Sequence, residues 1–106
     1  MFQPITTKLA RVTYYDCQDN IRQWGCPDIG TYALVREPNN PHDINAVRVS
    51  LFGIHDMGYL PKNHAKMLAP LMDEGRTFLA DYVRRNEYAP YENVGLTVRI
   101  VETTWH

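Results

Sequence analysis

The chain has 106 residues, of which 44% are hydrophobic and 22% charged, as in an ordinary globular protein and unlike a disordered tail. That length predicts one domain over residues 1–106, with no room for a second core. Eleven Lys and Arg residues against twelve Asp and Glu residues give a formal net charge of −1. This balance counts against a protein that coats long nucleic acid, but it permits recognition of a short or terminal piece.

Membrane segments and cofactor sites are not predicted. No window approaches eighteen consecutive apolar residues, and the amino-terminal sequence MFQPITTKLARV lacks the apolar core of a secretory signal, so we expect a cytoplasmic protein without membrane contact. Cys17 and Cys26 are too few for a disulfide framework and lack zinc-site spacing. We expect reduced thiols and no cofactor; a metal site of both cysteines and a histidine is the weaker alternative.

Short strands separated by turn-forming residues dominate the first part of the chain. Residues Ile5 to Tyr15 alternate in a way typical of a strand, and Asp16 to Ile29 predict a longer loop. Three further strands are predicted at Thr31 to Glu37, Asn45 to Phe52 and Met57 to Pro61. Strands in such quick succession indicate an antiparallel meander.

The second part of the chain predicts a helix and then two more strands. Residues Lys62 to Glu74 show apolar side chains at helical spacing, and Gly75 is placed to end the helix. Pro70 predicts either a kink or two short helices meeting there. Strands follow at Thr77 to Arg85 and Val94 to Glu102. These elements predict an all-β protein with a helical excursion, a small OB-like or SH3-like barrel of five to six strands with one or two short helices.

The stretch REPNNPHDINAVRV, from Arg36 to Val49, carries more polar residues than a simple turn needs. An ionised carboxylate only accepts hydrogen bonds, so a loop residue such as Asp43 can select a hydroxyl group and repel a phosphate. The amides of Asn39 and Asn40 can donate to phosphate oxygens without adding charge. The alternative is turn formation, for which Asn, Asp and Pro are the commonest residues. We assign Asn45 to that structural role.

The segments LVREPNNPHDINAVRV and MGYLPKNHAKMLAPLMDEG resemble the HIRAN domain, a small module of helicase-like DNA-repair ATPases that also occurs as a free-standing protein. The resemblance is specific over Leu34 to Gly75. It implies an OB-like barrel without catalytic activity that binds single-stranded DNA and captures a free 3′-hydroxyl end. On this sequence it implies that Asn39 and Asn40 contact phosphate and sugar and that Asp43 accepts from the terminal hydroxyl.

The same resemblance implies further contacts with the strand end. His42 and Tyr14 provide stacking surfaces for bases, and Lys62 binds phosphate at the start of the helix. Since Tyr14 and Tyr15 would point to opposite faces of a strand, we expect one to be buried and Tyr14 to be exposed. Thr13 stands where the best-known end-binding member has an arginine, and His42 where it has a tyrosine. Three residues are candidates for the missing cation: Arg11, Arg84 and Arg85.

Three functions follow from these observations. The first is a non-enzymatic module that binds single-stranded DNA ends and targets a repair or mobile-element machine, with a helicase or nuclease as partner. The second is a protein-interaction or regulatory barrel in which the polar loop only holds the fold. The third and weakest is a metal-dependent nuclease built on Asp43, Asp56, His55 and His42. Without a recognised catalytic motif, we expect no enzymatic activity.

Overall fold

The computed structural model describes residues 2–87 and 93–103, which form six strands and two helices. In chain order these are β1 (Ile5–Lys8), α1 (Cys17–Trp24), β2 (Thr31–Arg36), β3 (Val47–Leu51), β4 (His55–Tyr59), α2 (Lys62–Asp73), β5 (Phe78–Glu87) and β6 (Val94–Glu102). All strand pairs are antiparallel, in the order β1-β6-β5-β2-β3-β4. The predicted all-β, barrel-like fold with a helical excursion is therefore confirmed.

The curled sheet closes on itself at a seam formed by Ala10 and Tyr59. The Ala10 N–H donates to the Tyr59 carbonyl at 2.7 Å, and the Tyr59 N–H donates to the Ala10 carbonyl at 2.9 Å. Gly58 lies beside this bridge with φ of 151°, and a Cβ added there would stand 2.8 Å from the Ala10 carbonyl oxygen. Only glycine allows the backbones to approach this closely.

The core lies inside the barrel and beneath the two helices. On β6 the face that carries Val98 and Ile100 is buried, and both residues are 0% exposed. Val47 and Val49 on β3 are likewise 0% exposed. Because strand side chains alternate between faces, these pairs fix which face of each strand packs inward. No helix in residues 2–87 or 93–103 is long and apolar enough to cross a membrane.

The first strand is shorter than the sequence predicted, because the chain changes partner. The Cα register of β1 with β6 ends at Lys8, the Leu9 N–H still donates to the Leu96 carbonyl at 2.9 Å, and Ala10 then pairs with Tyr59 of β4. Beyond the seam Arg11 and Tyr15 have φ of 54° and 50°. Such left-handed residues end an extended strand, so the predicted strand from Ile5 to Tyr15 is wrong beyond its first part.

The predicted loop from Asp16 to Ile29 is also wrong, because it contains helix α1. Cys17 and Ile21 are spaced four residues apart and are 1% and 0% exposed, and Trp24 follows three residues later and packs against the core. This is the i, i+4, i+7 spacing of an amphipathic helix. The many polar residues between these positions hid the pattern.

Helix α2 lies where the sequence predicted it and continues through Pro70 as one helix. The alternative of two short helices meeting there is therefore wrong. Ala69, the residue before the proline, is 1% exposed, so packing holds it in a conformation that the proline disfavours. Gly75 ends the helix as predicted, with φ of 95°, and the next N–H, from Arg76, donates to the Leu71 carbonyl at 3.1 Å.

Candidate nucleic-acid interface

A pocket of about 580 Å³ opens beside the seam, between the β2–β3 loop, strands β3 and β4, and the turn before α1. Its lining combines carboxylates, amides, a guanidinium and phenol rings. The lining residues are Tyr15, Glu37, Pro38, Asn39, Asn40, Pro41, Arg48, Asp56 and Tyr59. Aromatic planes beside convergent polar groups are typical of a site that binds an organic ligand.

Glu37 is the centre of the hydrogen bonds at this pocket. Its Oε1 accepts from the Tyr59 hydroxyl at 2.8 Å and from Asn40 Nδ2 at 3.0 Å, and its Oε2 accepts from Arg48 Nη1 at 3.0 Å. Burial, and next the hydrogen bond to Glu37, raise the pKa of Tyr59 to about 12. The Tyr59 hydroxyl therefore stays protonated at neutral pH and fixes the Glu37 carboxylate from the β4 side.

Arg48 lies between two carboxylates. Its Nη1 bonds Glu37, while its Nε lies 3.2 Å from Asp56 Oδ1. Within the described residues the buried Nε forms no aligned hydrogen bond, so the contact with Asp56 is an ion pair only. The charged residues that line the pocket are thus two carboxylates and one guanidinium. The guanidinium of Arg11 lies outside this lining, 5.1 Å from the centre of the Tyr59 ring.

Turn chemistry in the β2–β3 loop uses both Asn40 and Asp43. Asn40 Oδ1 accepts from the backbone N–H groups of His42 at 2.9 Å and Asp43 at 3.2 Å. Asp43 Oδ1 accepts from the Asn45 N–H at 2.9 Å. Both residues therefore shape the loop, as the turn alternative expected. Asn39 makes no such bond in the described chain, and it is exposed.

The two adjacent tyrosines both face solvent. Tyr14 is 47% exposed and Tyr15 87% exposed, and their rings meet edge to face with centres 6.3 Å apart. The expectation that one would be buried is wrong, because they lie on a turn and not on a strand. Gln18 of α1 anchors that turn by donating to the Val12 carbonyl at 2.7 Å. Of these two adjacent tyrosines, Tyr15 lines the pocket.

The structure brings together only part of the predicted site. Asn39 and Asn40 line the pocket. The other four predicted residues lie outside its lining: Tyr14, His42, Asp43 and Lys62. His42 and Asp43 belong to the same loop and are bonded to Asn40, and Tyr14 is adjacent to Tyr15. Lys62 is the exposed first residue of α2.

The candidates for the missing cation have different surroundings. Arg84 Nε donates to Asn86 Oδ1 at 2.9 Å, and Arg85 Nη1 donates to the Arg22 carbonyl at 3.1 Å. Arg11 instead lies against Tyr59, a residue that lines the pocket. Of the three candidates, Arg11 is therefore the one that lies next to the pocket.

The sequence analysis missed Glu37, Arg48 and Tyr59 as lining residues, and it considered Asp56 only for a nuclease centre. A signal was present for Arg48, because a charged side chain alternates there with buried valines on β3. Glu37 lies within the polar stretch itself. No spacing in the sequence indicates that Tyr59 and Glu37 bond each other across 22 residues.

The residues considered for a nuclease centre have other partners. The His55 ring stacks on Trp24, with ring centres 3.9 Å apart, and Asp56 faces Arg48. Among residues 2–87 and 93–103 no three His, Cys, Asp or Glu side chains are grouped to hold a metal ion. Cys17 and Cys26 are both free thiols, and burial raises the pKa of Cys17 to about 11.

Two solved structures share this architecture. The HIRAN domain of human HLTF superposes with a TM-score of 0.68 at 21% identity, over 93% of this chain and 74% of that one. A protein from Lactobacillus plantarum gives a TM-score of 0.69 at 20% identity, over 95% of this chain and 98% of that one. At this level of identity the superpositions support the shared fold.

Sequence similarity is more local. The helicase-like transcription factor of Oryctolagus cuniculus is 51% identical over 41 residues, which is 39% of this chain and only 4% of that much longer protein. A family model, that of the HIRAN domain, matches residues 7–102. This match spans nearly the whole chain, which therefore belongs to the HIRAN-domain family.

Proposed function

We propose that this protein is a non-catalytic module that binds single-stranded DNA and receives a free 3′-hydroxyl end at the pocket beside the seam. Membership of the HIRAN family supports DNA binding without catalysis. The observation that carries the end-binding proposal is the lining of the pocket, where acceptor carboxylates and an exposed aromatic ring lie together. A hydroxyl group can donate to such carboxylates, whereas a phosphate is repelled by them.

Each predicted residue has a role in this proposal. Asn39, exposed at the pocket, donates to a phosphate or sugar oxygen. Asn40 stabilises the loop through its hydrogen bonds to the backbone of His42 and Asp43 and so positions these two residues. Asp43 accepts from the terminal hydroxyl with the oxygen that is not engaged by Asn45. His42 stacks on a base. These assignments place the strand terminus on the β2–β3 loop.

Stacking and phosphate contacts continue away from the loop. The exposed rings of Tyr14 and Tyr15 stack on successive bases, which any base permits because each has a π face. Lys62 and Arg11 form ion pairs with backbone phosphates of the bound strand. With two or three phosphates engaged, the log-log salt slope of binding should be about −1.5 to −2.

The wider role is that of a targeting element. A helicase-like transcription factor is 51% identical to this chain over 41 residues, which supports a DNA-repair or mobile-element machine with a helicase or nuclease partner. In that role the module brings its partner to strand ends, and the partner performs the chemistry. Co-purification of the partner with the wild-type module, tested with and without DNA, examines this step.

A titration of labelled DNA strands tests the proposed recognition of a 3′-hydroxyl end. Strands that end in a 3′-hydroxyl or a 3′-phosphate, and a blunt duplex, are titrated at two salt concentrations. We expect tightest binding of the 3′-hydroxyl strand, and Asp43→Ala should reduce the preference for hydroxyl over phosphate. Equal affinity for the two single strands would contradict hydroxyl recognition. Degradation of the strand with magnesium or manganese would instead support the nuclease.

A second candidate function is a protein-interaction barrel. It is favoured by Phe52 and Ile54, which are 80% and 73% exposed at the β3–β4 turn. Large apolar side chains exposed together often mark a contact with another protein. Absence of binding to every DNA in the titration would favour this function over the first.

A further inference from the structure

The Asp56 carboxylate lines the pocket but takes no part in the hydrogen bonds that shape the β2–β3 loop. It lies on β4, outside the polar stretch, and its side chain is 33% exposed. Oδ1 lies 3.2 Å from Arg48 Nε without an aligned hydrogen bond. Within residues 2–87 and 93–103, Oδ2 accepts no hydrogen bond. Asp56 therefore has acceptor capacity that a ligand in the pocket can reach.

The other two carboxylates near the site have less capacity. Glu37 already accepts from three donors with its two oxygens. Asp43 uses one oxygen for the Asn45 N–H and lies outside the pocket lining. A carboxylate oxygen accepts two hydrogen bonds readily, so the acceptor with the greatest spare capacity inside the pocket is Asp56.

The positive charge of Arg48 does not make the pocket a binding site for phosphate. Its guanidinium is shared between Glu37 and Asp56, at 3.0 Å and 3.2 Å. An incoming phosphate would therefore meet two negative charges for one positive charge. Because like charges within a few ångströms repel, a terminal phosphate is disfavoured where a neutral hydroxyl is accepted.

We propose that Asp56 is a specificity-determining residue of the pocket, which accepts a hydrogen bond from a terminal hydroxyl of the DNA strand and excludes a terminal phosphate. This inference rests on the proposed function and deepens it. The terminal hydroxyl donates its one hydrogen to one carboxylate at a time, so Asp56 on β4 is an alternative acceptor to Asp43, and the negative charge of both repels a phosphate. Arg48 keeps the Asp56 carboxylate beside the pocket, and the unaligned ion pair leaves its oxygens available to the ligand.

The test compares two ligands on the same protein. Fluorescently labelled single strands that differ only in a 3′-hydroxyl or a 3′-phosphate are titrated against wild type, Asp56→Asn and Asp73→Asn. The asparagine keeps the shape of the aspartate and removes its charge. Asp73 is the matched control, because it pairs with Arg36 at 3.1 Å and lies outside the pocket lining.

We expect the ratio of the two dissociation constants to fall about fivefold or more in Asp56→Asn, the effect of one unit charge near the ligand. Wild type and Asp73→Asn should have equal ratios. Since both strands are titrated against the same sample, partial unfolding of a variant affects both affinities alike and leaves the ratio intact. The thermal midpoint of each variant is recorded beside the titration.

The outcomes separate the two proposals. If wild type prefers the hydroxyl strand and Asp56→Asn retains the full preference, the role of Asp56 is overturned and the proposed function stands. If wild type binds both strands equally, or neither, the proposed function itself fails. A loss of preference in Asp56→Asn but not in Asp73→Asn supports the inference.

Discussion

Asn40 donates its side-chain amide to Glu37 Oε1 at 3.0 Å, so a residue of the loop is tied directly to the carboxylate at the centre of the pocket. The Asn40 oxygen meanwhile accepts two backbone N–H groups of the same loop. Asn40 thus connects the shape of the loop to the lining of the pocket, whereas its neighbour Asn39 is exposed.

The two asparagines should therefore respond differently to alanine. Asn40→Ala removes hydrogen bonds on both sides of the side chain and should lower the free energy of unfolding by about 1–2 kcal/mol. Asn39→Ala should weaken DNA binding with little change in stability. Urea unfolding and DNA titration of both variants check this difference. Equal stability of the two would mean that the bonds of Asn40 contribute little.

Tyr15 should contribute to affinity through its ring alone. Tyr15→Ala should weaken binding of single-stranded DNA by about 1–3 kcal/mol, the usual value of a stacked base, and stability should barely change because the side chain is 87% exposed. Tyr15→Phe keeps the ring and serves as the control. Unchanged affinity in Tyr15→Ala, with a loss in Tyr14→Ala, would assign stacking to Tyr14 alone.

Gly58 should not tolerate a side chain. Gly58→Ala places a methyl group 2.8 Å from the Ala10 carbonyl oxygen, and together with the strained backbone this should lower the free energy of unfolding by about 3 kcal/mol. Gly53→Ala is the control, since Gly53 also has positive φ, 74°, but has no atom within 4 Å of the added Cβ. It should cost about 1 kcal/mol. If thermal unfolding shows that Gly58→Ala and Gly53→Ala lose similar amounts of stability, the steric explanation is contradicted.

Alkaline pH should destabilise the protein partly through Tyr59. Its pKa is raised from 10.0 to about 12, so the folded protein holds this proton more tightly than the unfolded chain. The resulting stability is full below about pH 10 and is lost as pH rises towards 12. The pKa of Tyr32 is also raised to about 12 by burial, so Tyr59→Phe should reduce this loss without abolishing it. Urea unfolding between about pH 9 and 12 measures this loss of stability. If the stability of Tyr59→Phe falls as steeply with pH as that of wild type, the assignment to Tyr59 is contradicted.

Local patterns in the sequence predicted much of the fold. Alternating apolar residues on β6 and helical spacing on α2 have their cause within one element, so both were visible in the sequence. The end of β1 has a distant cause, because Ala10 leaves β6 to pair with Tyr59. Helix α1 was missed since its buried residues, Cys17 and Ile21, are few.

The pocket was less accessible to sequence analysis for a similar reason. The polar stretch indicated Asn39 and Asn40, which are close in sequence, and both line the pocket. Glu37 and Tyr59 meet only because the barrel curls. A pattern of neighbours therefore identifies the loop, but the partners that determine its chemistry come from other strands.

The seam between Ala10 and Tyr59 consists of two backbone hydrogen bonds. The turn that carries Tyr15 follows Ala10 in the chain, and the Tyr59 hydroxyl bonds Glu37 at the start of the β2–β3 loop. A DNA strand that contacts both Tyr15 and this loop would bridge the seam. Bound DNA should therefore slow hydrogen exchange of the Ala10 and Tyr59 amides more than that of the β5–β6 ladder. A DNA end bound at the proposed site would in this way stabilise the closure of the barrel.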